Sequence, residues 1–344
     1  MKIIVDAMGG DNAPDEIVKG ALDAAGRLNA DIALVGRGED ILRVIEKIGL
    51  KGVPRGVEIV NASEVIGMED DPANAVRVKR DSSMTVALNL LRDEYGDAVV
   101  SAGNTGALLS GATLIVKRVR GVRRAALAPV IPSSAGGFIL IDCGANADCT
   151  AEYLLQFAFM GSYYAEDVLM RSAPRVGLLN NGTERTKGTQ LQLEAYALLE
   201  KAGNEKLLNF IGNIEAKDAM KDACDVLVCD GFAGNILLKS VEGAATLIMS
   251  ELKSIFNKNL ATKVSALLIK RHISGFRTRM NPDAVGGTIL LGISKPVIKA
   301  HGSSNAYAIL NAIQQAVRAT ENNTAARLQY TLSGMNTGEP GNNE

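Results

Sequence analysis

The chain has no tryptophan, only 4% aromatic residues and two histidines, His272 and His301. Its four cysteines, Cys143, Cys149, Cys224 and Cys229, form no Cys-x-x-Cys pair. A structural zinc site needs closely spaced N and S ligands, and that spacing is missing. Reduced cysteines of an intracellular protein are the expected state. Neither charge is in excess: 37 basic residues face 38 acidic ones, which removes the global footprint of a nucleic-acid binder. No apolar run reaches the ~18 residues of a membrane-spanning helix. The start, MKIIVDAMGGD, lacks the basic and long apolar regions of a secretory signal.

What the 344 residues do contain is 47% hydrophobic residues and 35 glycines, ample for a sizeable core. Short apolar runs recur at 3–5, 32–35, 98–100, 137–141, 176–179, 226–229 and 297–298. Most end in glycine or a small polar residue, and helical periodicity follows over 15–27, 82–94, 151–170 and 189–202. This alternation predicts an α/β fold, a three-layer α/β/α sandwich on a mostly parallel sheet. The strands are continuously apolar, as burial on both faces requires. One catalytic domain over 1–333 is expected, with a polar, disordered tail over 334–344. Ligands of such sheets bind beyond the carboxyl ends of the strands, where six glycine-rich clusters fall.

One segment breaks the pattern. Residues 253–279 hold seven Lys/Arg and no Asp/Glu. Leu252, Ile255, Phe256, Leu260, Val264, Leu267 and Leu268 recur there at spacings of one, three and four. Residues 252–280 therefore read as a basic amphipathic helix, or two helices broken near 257–259. Such a segment suits an anionic membrane surface, with Phe256 and Leu260 inserted, or a dimer-interface helix pair. A second basic cluster, Lys117, Arg118, Arg120, Arg123 and Arg124, is either a docking face for an acidic partner or a solvated one.

Each loop cluster carries two readings. SAGNTGA from Ser101 offers Gly103 and Gly106 for close backbone approach and Asn104 and Thr105 as donors. It reads as a phosphate loop or as a small-residue turn. In NNGTERTKG, Asn181 and Gly182 precede Lys187, a fixed charge for phosphate or oxyanion, or an exposed lysine beside Glu184. In DGFAGN, Gly234 permits a tight turn and Asn235 can donate to a carbonyl; Asp230 can instead simply cap the helix. His301 in HGSS is an acid or base or a backbone-orienting histidine, with Ser303 and Ser304 beside it. Asp6 and Asp11 in DAMGGDNAP are a carboxylate pair of the kind used for acid/base work or a hard metal, or they shape the site, with Asp11 capping the helix after Pro14; the structural, site-shaping role is the one expected. No Ser-His-Asp order and no GxSxG motif is present, and the cysteines have no histidine nearby in sequence.

Taken in order, VDAMGGDNAP, SAGNTGA, DCGANADC with LLQFAFMGS, NNGTERTKG, DGFAGN and KAHGSS resemble the bacterial phosphate acyltransferases of phospholipid synthesis, the PlsX family. The stretch GGTILLGISKP departs from that family's GGAPLLG form. The resemblance implies a fold related to isocitrate and isopropylmalate dehydrogenases and to phosphotransacetylases. It implies transfer of a fatty acyl group from acyl-[acyl-carrier protein] to inorganic phosphate. The acyl phosphate then feeds a membrane glycerol-3-phosphate acyltransferase. It also implies a cytoplasmic homodimer at the inner membrane face, without metal or cofactor. Phosphate itself would be the nucleophile, residues 103–106 would hold it, Lys187 and Asn235 would stabilise charge and carbonyl, and His301 would shape the site or protonate the leaving thiolate. The competing readings are an acyl-coenzyme A phosphotransacetylase, a decarboxylating dehydrogenase and a non-enzymatic membrane scaffold.

Overall fold

The computed structural model describes residues 1–134, 136–167, 169–259, 262–263, 265, 286–322 and 324–336. The first sheet contains β1 (Lys2–Asp6), β2 (Asp31–Gly36), β3 (Val57–Asn61), β4 (Ala98–Ser101), β5 (Ala126–Ala128), β11 (Thr288–Leu291) and β12 (Val297–Lys299). Their order is β3-β2-β1-β4-β12-β11-β5. The first five are mutually parallel, whereas β11 is antiparallel to both neighbours. The second sheet contains β6 (Val130–Ile131), β7 (Phe138–Ile141), β8 (Arg175–Leu179), β9 (Asn209–Ile214) and β10 (Val226–Val228), in the order β6-β7-β10-β8-β9.

The expected single sheet is therefore two, joined where β5 runs on through Pro129 into β6. Leu140 donates its backbone N–H to Pro129 O at 3.0 Å, and Leu127 donates to Asp142 Oδ1 at 2.9 Å. The mostly parallel α/β sandwich holds, and its division was not readable in the sequence because β5 and β6 are too short to register as strands without their partners. Because β11 reverses direction and β6 is antiparallel to β7, the two parallel sets run in opposite senses.

Alternate residues of each strand face opposite layers. Ile3, Val5, Ile139, Ile141, Val226 and Val228 join one apolar core. Their neighbours Ile4, Phe138, Leu140 and Leu227 join the other. Each core runs across both sheets, which gives the three-layer sandwich. One outer layer is α1 (Asp15–Arg27), α2 (Gly38–Lys47), α6 (Ala151–Asp167), α7 (Gln190–Asn204), α10 (Ala306–Glu321) and α11 (Thr324–Asn336). The other includes α3 (Ala75–Val78), α4 (Ser83–Arg92), α5 (Thr105–Gly111), a π-helical turn over Ala112–Val116, α8 (Ala216–Ala219) and the start of α9.

Helix α9 (Gly231–Asn257) differs from the rest. It spans 27 residues, yet only Gly231 and Gly234 are fully buried. Its C-terminus coincides with the break expected near 257–259. There Asn259 Oδ1 accepts the Thr262 N–H at 2.9 Å, starting a new turn. Beyond it, Leu260, Val264, Leu267, Leu268 and His272 lie outside the described residues, as does the tail from 337. The departing stretch GGTILLG forms β11. No helix among the described residues is long and apolar enough to cross a membrane.

Candidate active site

The glycine-rich loops fall into two groups of three, each on adjacent strands. DAMGGD, SAGNTG and KAHGSS follow β1, β4 and β12; DCGAN, DGFAGN and NNGTERTKG follow β7, β10 and β8. The first group is stapled together. Asp11 donates its backbone N–H to Gly302 O at 2.8 Å. Asn12 Nδ2 donates to Ser303 O at 3.0 Å, and Ala306 N donates to Glu16 Oε2 at 2.9 Å. Asp6 is buried and accepts from Ser101 Oγ at 2.6 Å and Met8 N at 3.3 Å. Ser101 Oγ in turn accepts the Gly103 N–H at 3.1 Å. A side chain at Gly9 would place its Cβ 2.7 Å from Gly103 N, so the close approach of the β1 and β4 loops requires glycine there. Asp6 thus ties the β1 loop to the end of β4. Asp11 does not cap α1; Pro14 holds that position.

In the second group Asp142, with no exposed surface, accepts from Leu127 N (2.9 Å), Cys143 N (2.7 Å), Ala145 N (3.3 Å) and Asn146 N (2.6 Å). Asn146 Nδ2 adds a bond at 3.0 Å. One carboxylate thereby folds the loop after β7. Asp230 caps α9 by accepting the Ala233 N–H at 2.8 Å.

A cleft of about 1070 Å³ lies between these groups and α9. Of the residues expected at the site, it is lined by Thr105, Asn235, His301 and Ser303. His301 and Ser303 are neighbours in contact, with Nδ1 2.8 Å from Ser303 Oγ. The other expected residues stand elsewhere. Gly103 is buried behind Ser101. The Asn104 amide is committed: its Oδ1 caps α5 by accepting Ala107 N at 3.1 Å, while Nδ2 donates to Met68 O at 3.1 Å. Gly106 sits against Pro72, and Gly234 packs on the Asp142 carbonyl. Asn181, Gly182 and Lys187 belong to the loop after β8, outside the cleft lining. Lys187 is exposed there, and its carbonyl accepts Asn180 Nδ2 at 3.1 Å. Phe256 is half-buried and lines the cleft. The basic residues at 117, 118, 120, 123 and 124 are exposed and do not line it.

The cleft also contains groups that sequence reasoning passed over. Lys299 ends β12 at 8% exposure. Its ammonium donates to Ala102 O at 3.3 Å and to Ala300 O. An ammonium has three N–H donors, so one is left without a partner among the described residues. Burial pushes its pKa down to about 8, against the opposing pull of Asp6 and Asp11. Ser304 is 2% exposed, lines the cleft, and has no partner for its Oγ among the described residues. The signal was a lone lysine closing an apolar strand in VIKAHGSS, where a charge has no solvent to turn to. Cys143, which also lines the cleft, has its thiol pushed up to about 12 by burial. That leaves almost no thiolate at neutral pH.

Residues 1–327 match the sequence family described as fatty acid synthesis protein. The chain belongs to that family. It is 45% identical to the phosphate acyltransferase of Thermoanaerobacter pseudethanolicus, over 97% of this chain and 98% of that protein. Among solved structures it is similar to a phosphotransacetylase from Streptococcus pyogenes, with TM-score 0.61, 19% identity and 94% of each chain covered. It is also similar to a putative 4-hydroxythreonine-4-phosphate dehydrogenase from Salmonella typhimurium, with TM-score 0.55, 13% identity and 92% and 98% covered. These two likenesses bear on the fold alone. They place the family's sandwich beside the phosphotransacetylase and dehydrogenase folds implied by the motifs.

Proposed function

We propose that the chain transfers a fatty acyl group from acyl-[acyl-carrier protein] to inorganic phosphate, releasing the carrier thiol and an acyl phosphate for phospholipid synthesis. The observation that carries this reading is the pair of unspent donors in the cleft: the third N–H of Lys299 and the buried Ser304 hydroxyl. Together they suit a small anion held beside His301 and Asn235.

Phosphate is already a nucleophile, so the site needs to hold and aim it. One phosphate oxygen attacks the thioester carbonyl carbon, forming the C–O bond. The Asn235 amide donates to the carbonyl oxygen as it becomes an oxyanion. The C–S bond then breaks, His301 Nε2–H donates a hydrogen bond to the departing sulfur, and the proton that converts thiolate to thiol is the one that hydrogen phosphate brought, released as the more acidic acyl phosphate forms. Lys299 supplies the cleft charge that Lys187 was expected to supply.

The chain acts as a homodimer in this reading. Phe232, Ile236, Leu247, Ile248 and Ile255 expose an apolar band on the side of α9 away from the cleft, a face that a second copy would cover. The end of α9, with Lys253 and the capping Lys258, would rest on the anionic inner face of the cell membrane. There the product would pass to the glycerol-3-phosphate acyltransferase.

Incubation with palmitoyl-carrier protein and labelled phosphate tests the reaction. Labelled acyl phosphate is expected. Turnover only with short acyl-coenzyme A would replace this reading by the phosphotransacetylase one.

A further inference from the structure

The cleft is far larger than phosphate and a thioester carbonyl require, and one wall of it is apolar. On α9, Leu238, Val241, Ala245, Met249, Leu252 and Phe256 all line it and are half-buried. Their spacings of three and four place them on one side of the helix. Leu127, Val130 and Ile131 line the same cavity from the β5–β6 strand. Glu242 interrupts the stripe, and Lys239 neutralises it at 2.8 Å. The stripe begins beside Asn235, among the polar groups of the cleft.

We infer that this stripe holds the hydrocarbon chain of the acyl donor, and that the small side chain of Ala245 sets how long a chain is accepted. The inference rests on the acyl-transfer reading above. Length supports it. A helix rises 1.5 Å per residue, so Ala245 lies about 15 Å along α9 from Asn235. Two opposed acyl chains make up the roughly 30 Å hydrocarbon core of a bilayer, about 15 Å each. A chain whose carbonyl sits at Asn235 would therefore end near Ala245. Leu238 and Val241 before it, and Met249 after it, are all bulkier.

Two measurements test this. Wild type and Ala245→Phe are compared with carrier-bound octanoyl, lauroyl, palmitoyl and stearoyl donors. Ala245→Phe should lower kcat/KM for palmitoyl at least about 10-fold, the scale set by misfit in an apolar pocket, and leave octanoyl unchanged. Retained octanoyl turnover also shows that the variant folds. Met249→Ala should raise stearoyl relative to palmitoyl. An equal change at every length, or none, overturns the inference. Separately, a palmitoyl-carrier donor with a photoreactive group at its methyl end should cross-link to peptides covering 241–252. This readout needs no turnover. Cross-linking elsewhere overturns the acyl stripe even where acyl phosphate forms, while failure to form acyl phosphate with correct cross-linking counts against the reaction alone.

Discussion

Ser303 donates its backbone N–H to His301 Nδ1 at 3.2 Å. That bond commits Nδ1 as an acceptor, so the neutral ring carries its proton on Nε2. One nitrogen of this histidine orients the loop, and in the proposed reaction the Nε2–H is the one left to donate a hydrogen bond to the departing sulfur.

His301→Ala should lower kcat about 100-fold with a carrier thioester, the usual contribution of one positioned hydrogen-bond donor. The loss should shrink with a donor whose thiol is already a good leaving group, such as an aryl thioester. An equal loss with both donors would assign His301 to packing rather than leaving-group stabilisation.

Activity should decline as pH rises through about 8. Lys299 binds phosphate only as an ammonium, and burial lowers its pKa to about 8. The same group moves stability the other way. Between about 8 and its ordinary 10.5 the unfolded chain holds more protons than the folded one, so stability rises with pH there. Alkaline inactivation without unfolding, read by activity and circular dichroism on one sample, is the expected pairing. Lys299→Arg should move the alkaline limb upward and Lys299→Met should abolish turnover. An unchanged limb in the arginine variant would refute the assignment.

Two glycines of α9 should respond oppositely to alanine. At Gly234 a Cβ would lie 2.0 Å from the Asp142 carbonyl oxygen, so Gly234→Ala should cost about 1–3 kcal/mol. At Gly243 a Cβ meets nothing within 4 Å. Gly243→Ala should therefore stabilise by up to about 1 kcal/mol through helix propensity. Thermal unfolding of both decides; a fall in Tm for both would mean that the Gly243 face is covered, as in a tight dimer.

Membrane contact predicts that wild type floats with anionic vesicles and that Phe256→Glu combined with Leu260→Glu does not. Phe256 lines the cleft, so turnover of a soluble donor should be followed alongside. Equal flotation removes the membrane role.

The central parallel strands were legible because each is a continuous apolar run buried on both faces. The edge and junction strands were not. In β9, Gly212 opens an irregularity against β8, and β5 and β6 are defined only by partners far along the chain. The glycine-rich loops were legible as a set, but their division between two sheets was not. That division explains why Lys187 was preferred over Lys299. Both follow apolar strands, and only the order β4-β12-β11 shows which lysine ends buried in the cleft. Likewise Asn104 reads as a free donor until the 67–68 backbone that occupies it is in place.

Strand β12 sits inside its sheet, between β4 and β11, although it is the last strand among the described residues. Asp11, Asn12 and Glu16 bond to residues about 290 positions later. On the ribosome, the first hundred residues must therefore wait with an open gap until almost the whole polypeptide has emerged. Pairings across such a separation form slowly. The open flank of β4 is thus the place where a nascent chain is most in need of protection, and a chain truncated before residue 297 would lose both the gap-filling strand and the lysine at its end.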